Sequence, residues 1–487
     1  MLFRKLTRLL QRPAAIQGRE IMPMDQSGEA RAATILARLD RLPGTRHVWM
    51  LIALLSLGGV FELYDLFMTG YLVPGLMKAG LLTGVEVSIF KGPALFVAST
   101  FFGLFIGTFV FGYAADKYGR RTIFTYSMLW YCAATFVMAF QNTGWGVNLW
   151  RLIASVGIGV ELVTIDTYLS ELVPKSMRGR SFAFNQGVMF CAVPIVALIS
   201  YLLVPISPFG IEGWRWVVGI GSIGALFVWF IRRAVPESPR WLINQGRLDE
   251  AEAVTASIEA KVLADLNGAP LPAPAAHPVD KAEPQGRLSE AFEPAYRGRT
   301  YMLMVFQFFQ TFGFYGFAAW VPTLIAKQTG INLHDSLLYS FIIAIAAPFG
   351  PLLAMSFADK IERKWQVVGA ACCIGIFGVG FSFQSTMSLL ILFGVLITLA
   401  NNVMSYSFHN YQSELFPTRI RARAVGFTYS LSRISAVFAS FIIGYFLQAY
   451  GTKGVFGLIA VAMTLVVVSI AGWGPRTRDL ELEQISK

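Results

Sequence analysis

The chain has 487 residues, 55% of them hydrophobic and only 14% charged, with a formal net charge of +11. A soluble protein carries about a quarter charged residues, so an ordinary globular domain is excluded. The basic residues are scattered between apolar stretches and form no single patch, which excludes a nucleic-acid surface.

In chain order, residues 1–46 are polar and lack the apolar core of a signal peptide. They read as a cytoplasmic tail whose first residues either form a basic amphipathic helix on the inner leaflet or stay disordered. Apolar stretches follow near 48–76, 88–114, 122–140, 145–170, 181–204 and 214–233. A second set lies near 301–326, 337–358, 366–384, 387–413, 424–448 and 453–473. Each is long enough to cross a hydrocarbon core of about 30 Å, and only helices satisfy their own backbone there. The expected fold class is therefore an all-α membrane protein with twelve transmembrane helices. The four cysteines (Cys132, Cys191, Cys372, Cys373) fall inside these spans with no disulfide or metal spacing.

The segment 236–299 is a polar linker, Ala/Glu-rich with helical periodicity over 248–266 and then rich in proline and alanine. It holds no phosphate-cradling or catalytic motif. ATP is thus not the expected energy source, no cofactor or metal is expected, and the chain does not read as an enzyme. Alternate loops concentrate the basic residues, among them Arg120, Arg121, Arg178, Arg180, Arg363, Arg421 and Arg423. The positive-inside rule puts those loops, both termini and the linker in the cytoplasm.

An internal repeat organises the chain. Asp116 and Arg120 recur as Asp359 and Arg363, and Glu171 and Arg178 recur as Glu414 and Arg421, always 243 residues apart. Residues 47–235 and 300–474 are thus two pseudo-symmetric six-helix bundles, followed by a tail, 475–487. In such repeat proteins the solute site lies at the interface of the halves.

Gly112, Asp116, Gly119, Arg120 and Arg121 resemble the loop motif between helices 2 and 3 of the major facilitator superfamily. Arg151, Gly157 and Gly159 resemble its helix-4 motif. Glu171, Pro174 and Arg178, with Pro236, Glu237, Ser238, Pro239 and Arg240, resemble motifs of its sugar-porter-related branch. The resemblance covers residues 45–487 and implies a secondary transporter working by alternating access. It also implies a cytoplasmic gate built from Asp116, Arg120, Arg121, Glu171 and Arg178, with Asp359, Arg363, Glu414 and Arg421 in the second half. The chemistry fits: an aspartate can cap a helix terminus while arginines pair acids on neighbouring helices. The second copy is degraded, for Met355 and Glu362 replace glycines. In the tail, Arg476 stands where the family has an acid, so that salt-bridge role is not carried over.

Ionisable groups inside a bilayer cost roughly 2.5–3.5 kcal/mol each on insertion scales, so they read as functional. Helix 1 carries Glu62 and Asp65, whose spacing puts both on one face, expected toward the central cavity. Helix 4 carries Arg151, Glu161 and Asp166, helix 10 His409 and helix 11 Arg433. Resemblance to proton-coupled sugar porters implies that Asp65 pairs with Arg151 and takes a proton when the pair separates. The alternative is a permanent ion pair joining helices 1 and 4. Glu62 and Asp166 are further proton-coupling candidates. His409 is either a relay, a substrate ligand or a packing residue. Arg433 matches a helix-11 arginine of the metabolite:proton symporter branch with nicotinate transporters, organic-ion transporters and synaptic-vesicle-protein relatives. It is either an anchor for an organic anion or an internal counter-ion to Glu62 or Asp65.

Sugar porters carry paired glutamines on helix 7, but here the matching stretch 309–315 keeps only Gln310. On helix 5 Gln186 is kept and Val193 takes the second glutamine's place; on helix 10, Ser405, Tyr406, Phe408 and His409 replace a Gly-Pro-x-Pro-Trp motif. A sugar's hydroxyls need many partners and unmet ones are costly, so the sugar reading loses. Phe314, Tyr315, Trp320 and Tyr406 either stack on a flat ring or merely fill the membrane helices. The expectation is an importer of an aromatic monocarboxylate such as nicotinate, by proton symport. An organic-cation or drug carrier using Glu62, Asp65 and Asp166, or a non-transporting sensor, are the alternatives. The expected partners are a small solute, protons and the lipid bilayer. The expected state is a monomer in a bacterial-type inner membrane.

Overall fold

The computed structural model describes residues 26–477 apart from 88–89, 112–113, 225–226, 228–230, 232–233, 268, 275–286 and 358–359. At 26, 87, 90, 110, 116, 163, 175, 413, 418, 419 and 422 it describes the backbone only. The expected basic amphipathic helix, Asp359 and the Asp116 side chain therefore lie outside the described residues.

A short helix, α1 (Gln26–Asp40), precedes the first span, α2 (Arg46–Lys78). A small antiparallel pair, β1 (Glu86–Val87) and β2 (Phe90–Lys91), leads into α3 (Gly92–Phe111). Then come α4 (Ala114–Tyr118), α5 (Arg120–Met138) and α6 (Gly144–Leu172). Thr143 caps α6, its hydroxyl accepting from the Gly146 amide at 3.1 Å. Helices α7 (Arg178–Phe190) and α8 (Ala192–Leu203) make one span, and α9 (Gly213–Gly221) begins the sixth. The linker folds as α10 (Pro239–Asn244), with Ser238 as its cap and proline in its first turn, and α11 (Leu248–Asp265).

In the second half α12 (Arg297–Ala318) and α13 (Val321–Thr329) are one span bent by 64°. They are followed by α14 (Leu333–Ala344) with α15 (Phe349–Phe357), then α16 (Arg363–Phe383), α17 (Met387–Glu414), α18 (Thr418–Ala449) and α19 (Gly451–Trp473). Among the described residues nine spans are long and apolar enough to cross a membrane, and the bent α12–α13 pair makes ten. The third and sixth places belong to α5, which opens on Arg120 and Arg121, and to the segment that α9 begins.

The two halves pack alike. In the first, α6 lies against α3 and α5 while α2 lies against α7, α8 and α9; in the second, α17 lies against α15 and α16 while α12 lies against α18 and α19. The halves meet through two symmetry-related contacts, α3 with α18 and α8 with α14.

Residues 26–40, expected to be part of a polar tail, instead form a helix docked on the linker. Arg31 pairs with Glu252 at 2.6 Å, and Arg38 and Arg41 share Glu259 at 2.5 and 2.9 Å. Ile35 packs with Trp241, Leu242 and Ala251 beneath them. Partial burial pushes the Glu259 carboxyl up, but the two guanidiniums outweigh it and hold the group below the usual carboxylate range.

Candidate functional site

A chamber of about 830 Å³ lies between the halves. The first half contributes Leu63, Leu66 and Phe67 from α2, Asp166 from α6 and Gln186 from α7. The second contributes Gln310, Phe314 and Tyr315 from α12, Ser405 and His409 from α17, and Tyr429 and Arg433 from α18. The repeat register brings Asp166 opposite His409 and Gln186 opposite Tyr429, each pair 243 residues apart. The chamber runs toward the membrane face rich in basic residues, where Thr108, Phe109, Arg423 and Phe427 line it.

The opposite, sparsely charged end is closed by backbone contact. A Cβ at Gly70 on α2 would fall 2.8 Å from the Ala319 carbonyl carbon and 2.9 Å from its Cα. Only glycine lets the α12–α13 bend press so close. Trp320, expected to line the solute site, packs here against Gly444 instead and is buried. Tyr406 also stays off the chamber, half-buried in helix packing. Both departures follow from helix rotation: on α17 the chamber-facing positions are Met404, Ser405, Phe408, His409 and Gln412.

Arg433 is the chamber's buried cation. One terminal nitrogen donates to the Tyr315 hydroxyl and the other to the Tyr429 hydroxyl, both at 2.8 Å. The guanidinium lies 4.9 Å from the Tyr429 ring centroid, a cation–π contact. Its Nε has no partner, and among the described residues no carboxylate lies within ion-pair distance. His409 hydrogen-bonds through Nδ1 to the Ser405 carbonyl at 2.7 Å. With Nδ1 donating, the neutral ring leaves Nε2 as an acceptor.

Glu62 and Asp65, expected to face the chamber, do not line it. The α2 face turned to the chamber is Leu63, Leu66 and Phe67, and the carboxylates turn into the first half toward α5 and α6. There Arg151 meets Asp65 at 3.0 Å, donates to the Asp65 main-chain carbonyl at 2.6 Å and to the Thr100 hydroxyl at 3.0 Å. Thr135 donates to the Asp65 carboxylate at 3.1 Å. Both charges are wholly buried. Glu62 is also wholly buried, with neither carboxyl oxygen hydrogen-bonded.

At the basic face Arg120 forks onto Glu171, with contacts of 2.9 and 3.2 Å, and Arg363 pairs with Glu414 in the same register. Arg421 donates through Nε to the Phe416 carbonyl at 3.1 Å. Arg178 has Asp40 and Arg240 as its charged neighbours. Glu237 accepts from the Arg121 amide at 3.1 Å, a carboxylate at the N-terminus of α5. The approach crowds Gly119, which sits at φ 97°, so a glycine is required. Sequence reasoning put Glu237 in a motif without a role, and it missed Thr100, Thr135 and Tyr429 as partners. Tyr429 could have been found, since it stands one turn before Arg433.

Two helical bundles related by a repeat, enclosing a chamber open toward one membrane face and sealed at the other, make a multi-pass secondary transporter. The chain belongs to the sugar (and other) transporter family, whose model matches residues 51–487. It is 30% identical to the putative metabolite transport protein YdjK of Escherichia coli, over 92% of this chain and 96% of that one. It is 27% identical to the niacin transporter NiaP of Acinetobacter baylyi, over 93% and 99% of the two chains. Among solved structures it is similar to the E. coli xylose transporter XylE in a partially occluded inward-open conformation. That match has a TM-score of 0.69 and 21% identity and covers 89% of this chain and 99% of that one. The fold is that of the major facilitator superfamily, with twelve transmembrane helices.

Proposed function

We propose that the protein imports a small organic anion, an aromatic monocarboxylate such as nicotinate, by proton symport with alternating access. The observation that carries this reading is Arg433: a buried guanidinium facing the chamber, positioned by two tyrosines and lacking an acidic partner in contact. A buried cation without a counter-ion is costly, and a substrate carboxylate in the chamber would neutralise it. Phe314, Tyr315 and Tyr429 offer ring faces beside it, and the side-chain amides of Gln186 and Gln310 can donate to a ring nitrogen. The niacin transporter among the relatives adds support for a pyridine carboxylate.

In this reading Asp65 and Arg151 are the coupling pair, separated and reunited as the halves rock, with Glu62 and Asp166 as further proton-coupling groups. The basic face and both termini are cytoplasmic, the membrane is the bacterial inner membrane, and the protein acts as a monomer. The pairs Arg120–Glu171 and Arg363–Glu414, with Arg121, Arg178, Arg421, Asp116 and Asp359, form the cytoplasmic gate. Uptake of radiolabelled nicotinate into proteoliposomes, with and without an inward proton gradient, tests the proposal. Gradient-dependent accumulation that Arg433→Ala abolishes is the expected result. Asp166 on the chamber wall favours a second reading, an organic-cation carrier. Transport of a quaternary ammonium that survives R433A, with no nicotinate uptake, would establish it instead.

A further inference from the structure

Glu161 on α6 has no part in the pairings described so far, yet it is wholly buried and neither of its carboxyl oxygens has a hydrogen-bond partner. Glu62 is in the same condition. The two approach each other within the first half: a Cβ placed on Gly58, one turn before Glu62 on α2, would lie 3.6 Å from Glu161 Oε1. The Tyr131 hydroxyl beside them is also buried without a partner.

The contrast with the neighbouring Asp65 is chemical. Asp65 has a guanidinium and a hydroxyl in contact, so its charge is neutralised where it lies. The two glutamates have no cation in contact, and two ionised carboxylates cannot be held side by side in so dry a setting. The charged and titratable groups around them are Tyr131 and Cys132 from α5, Asp166 and the Asp65-bound Arg151 from α6, and Arg433 and Tyr429 from α18. On α2 itself they are Tyr64 and Asp65. Helix α3 carries no titratable residue, and those on α7, α8 and α9 (Arg178, Arg180, Tyr201, Arg215) sit at the membrane faces.

We propose that Glu62 and Glu161 form a second proton-binding site, distinct from the Asp65–Arg151 pair, and that its occupancy is linked to anion binding at Arg433. Arg433 lines the same chamber as Leu63, the α2 residue next to Glu62. The field of a guanidinium with no anion bound works against a proton on a nearby carboxyl. A substrate carboxylate on Arg433 cancels the field, and Glu62 then keeps its proton, shared with Glu161. Protonation makes one O–H bond on a carboxyl oxygen and breaks one in water that reaches the pair as the halves rock, and release to water on the far side reverses the exchange. Linkage is reciprocal, so a protonated pair also tightens anion binding. Solute and proton are loaded together, which is the requirement of symport. The linkage rests on the symport reading above, whereas the proton-holding pair itself does not.

Infrared difference spectra of the full chain in lipid nanodiscs test this, using nicotinate as the probe. At neutral pH the wild-type protein is expected to show the carbonyl stretch of a protonated carboxylic acid. The band should shift with carbon-13-labelled glutamate, not with labelled aspartate, and should weaken in Glu161→Gln and Glu62→Gln. Nicotinate should strengthen it in the wild type and leave it unchanged in R433A. Nicotinate affinity should rise as pH falls, by up to about tenfold per pH unit for one linked proton, and E161Q should flatten that profile while E161D restores part of it. A band that follows only the aspartate label, or no protonated-acid band at all, overturns the proposal even if symport stands. The isotope arm needs no variant, so a misfolded E161Q does not blunt it. If nicotinate neither binds nor moves while the glutamate band is present, the substrate reading fails and the pair survives.

Discussion

Asp65→Asn keeps the side-chain volume and removes one charge from a pair that no water reaches. Two of the bonds Arg151 makes are untouched, those to the residue-65 main-chain carbonyl at 2.6 Å and to Thr100 at 3.0 Å. The new amide oxygen can still accept from the nitrogen that now meets Asp65 at 3.0 Å. What disappears is charge neutralisation, and stranding one member of a buried pair costs about 3–5 kcal/mol. The retained hydrogen bonds put D65N near the lower end, about 3 kcal/mol. Removing both charges in D65N/R151Q should recover most of this, because replacing a buried pair by neutral groups is often close to neutral. Thermal unfolding in detergent should therefore rank D65N lowest and the double variant nearer the wild type, a coupling that a double-mutant cycle isolates. In proteoliposomes D65N should also lose gradient-driven accumulation. A D65N protein as stable as the wild type, with a double variant less stable than either single one, would refute the buried pair. Undiminished gradient-driven uptake in a folded D65N protein would leave the pair as a structural fastening of α2 to α6.

Other outcomes follow from the same geometry. Y315F and Y429F each remove one 2.8 Å hydrogen bond to Arg433. Bonds to a charged group are worth about 1.5–3 kcal/mol, so each variant should bind nicotinate about tenfold or more weakly in equilibrium titration; unchanged affinity would remove the tyrosines from the site. R433K should be worse than either, since an ammonium cannot make the fork. Gly70→Val places a side chain against the Ala319 backbone and should unseat the seal at the sparse face. In a background without native cysteines, S340C in the small cavity beyond Phe314 should then react with an impermeant thiol reagent added from that face. Labelling equal to that of the parent would show that this contact does not govern closure. At the linker, Glu259 is held below its ordinary range, so the α1–α11 attachment it provides is complete above about pH 4.3. That contribution is lost as pH falls through the depressed value. Hydrogen exchange of α1 amides should speed up in that acid window and E259Q should abolish the dependence; a flat profile in the wild type would refute it.

The apolar spans, the repeat with its 243-residue register and the identity of every intramembrane charge were legible in the sequence, because bilayer thickness and the cost of buried charge act on composition alone. Spacing also showed that Glu62 and Asp65 share a face. It could not tell which way that face turns. A membrane helix is apolar all round, so no amphipathic stripe marks its interior side, and close packing with its neighbours decides the rotation. Tertiary structure alone turned Glu62 and Asp65 toward α5 and α6 rather than the chamber, set Arg433 between two tyrosines, and moved Trp320 to the seal. It also bent α12 from α13 against Gly70 and laid residues 26–40 on the linker, contacts between segments far apart in the chain that no local pattern encodes.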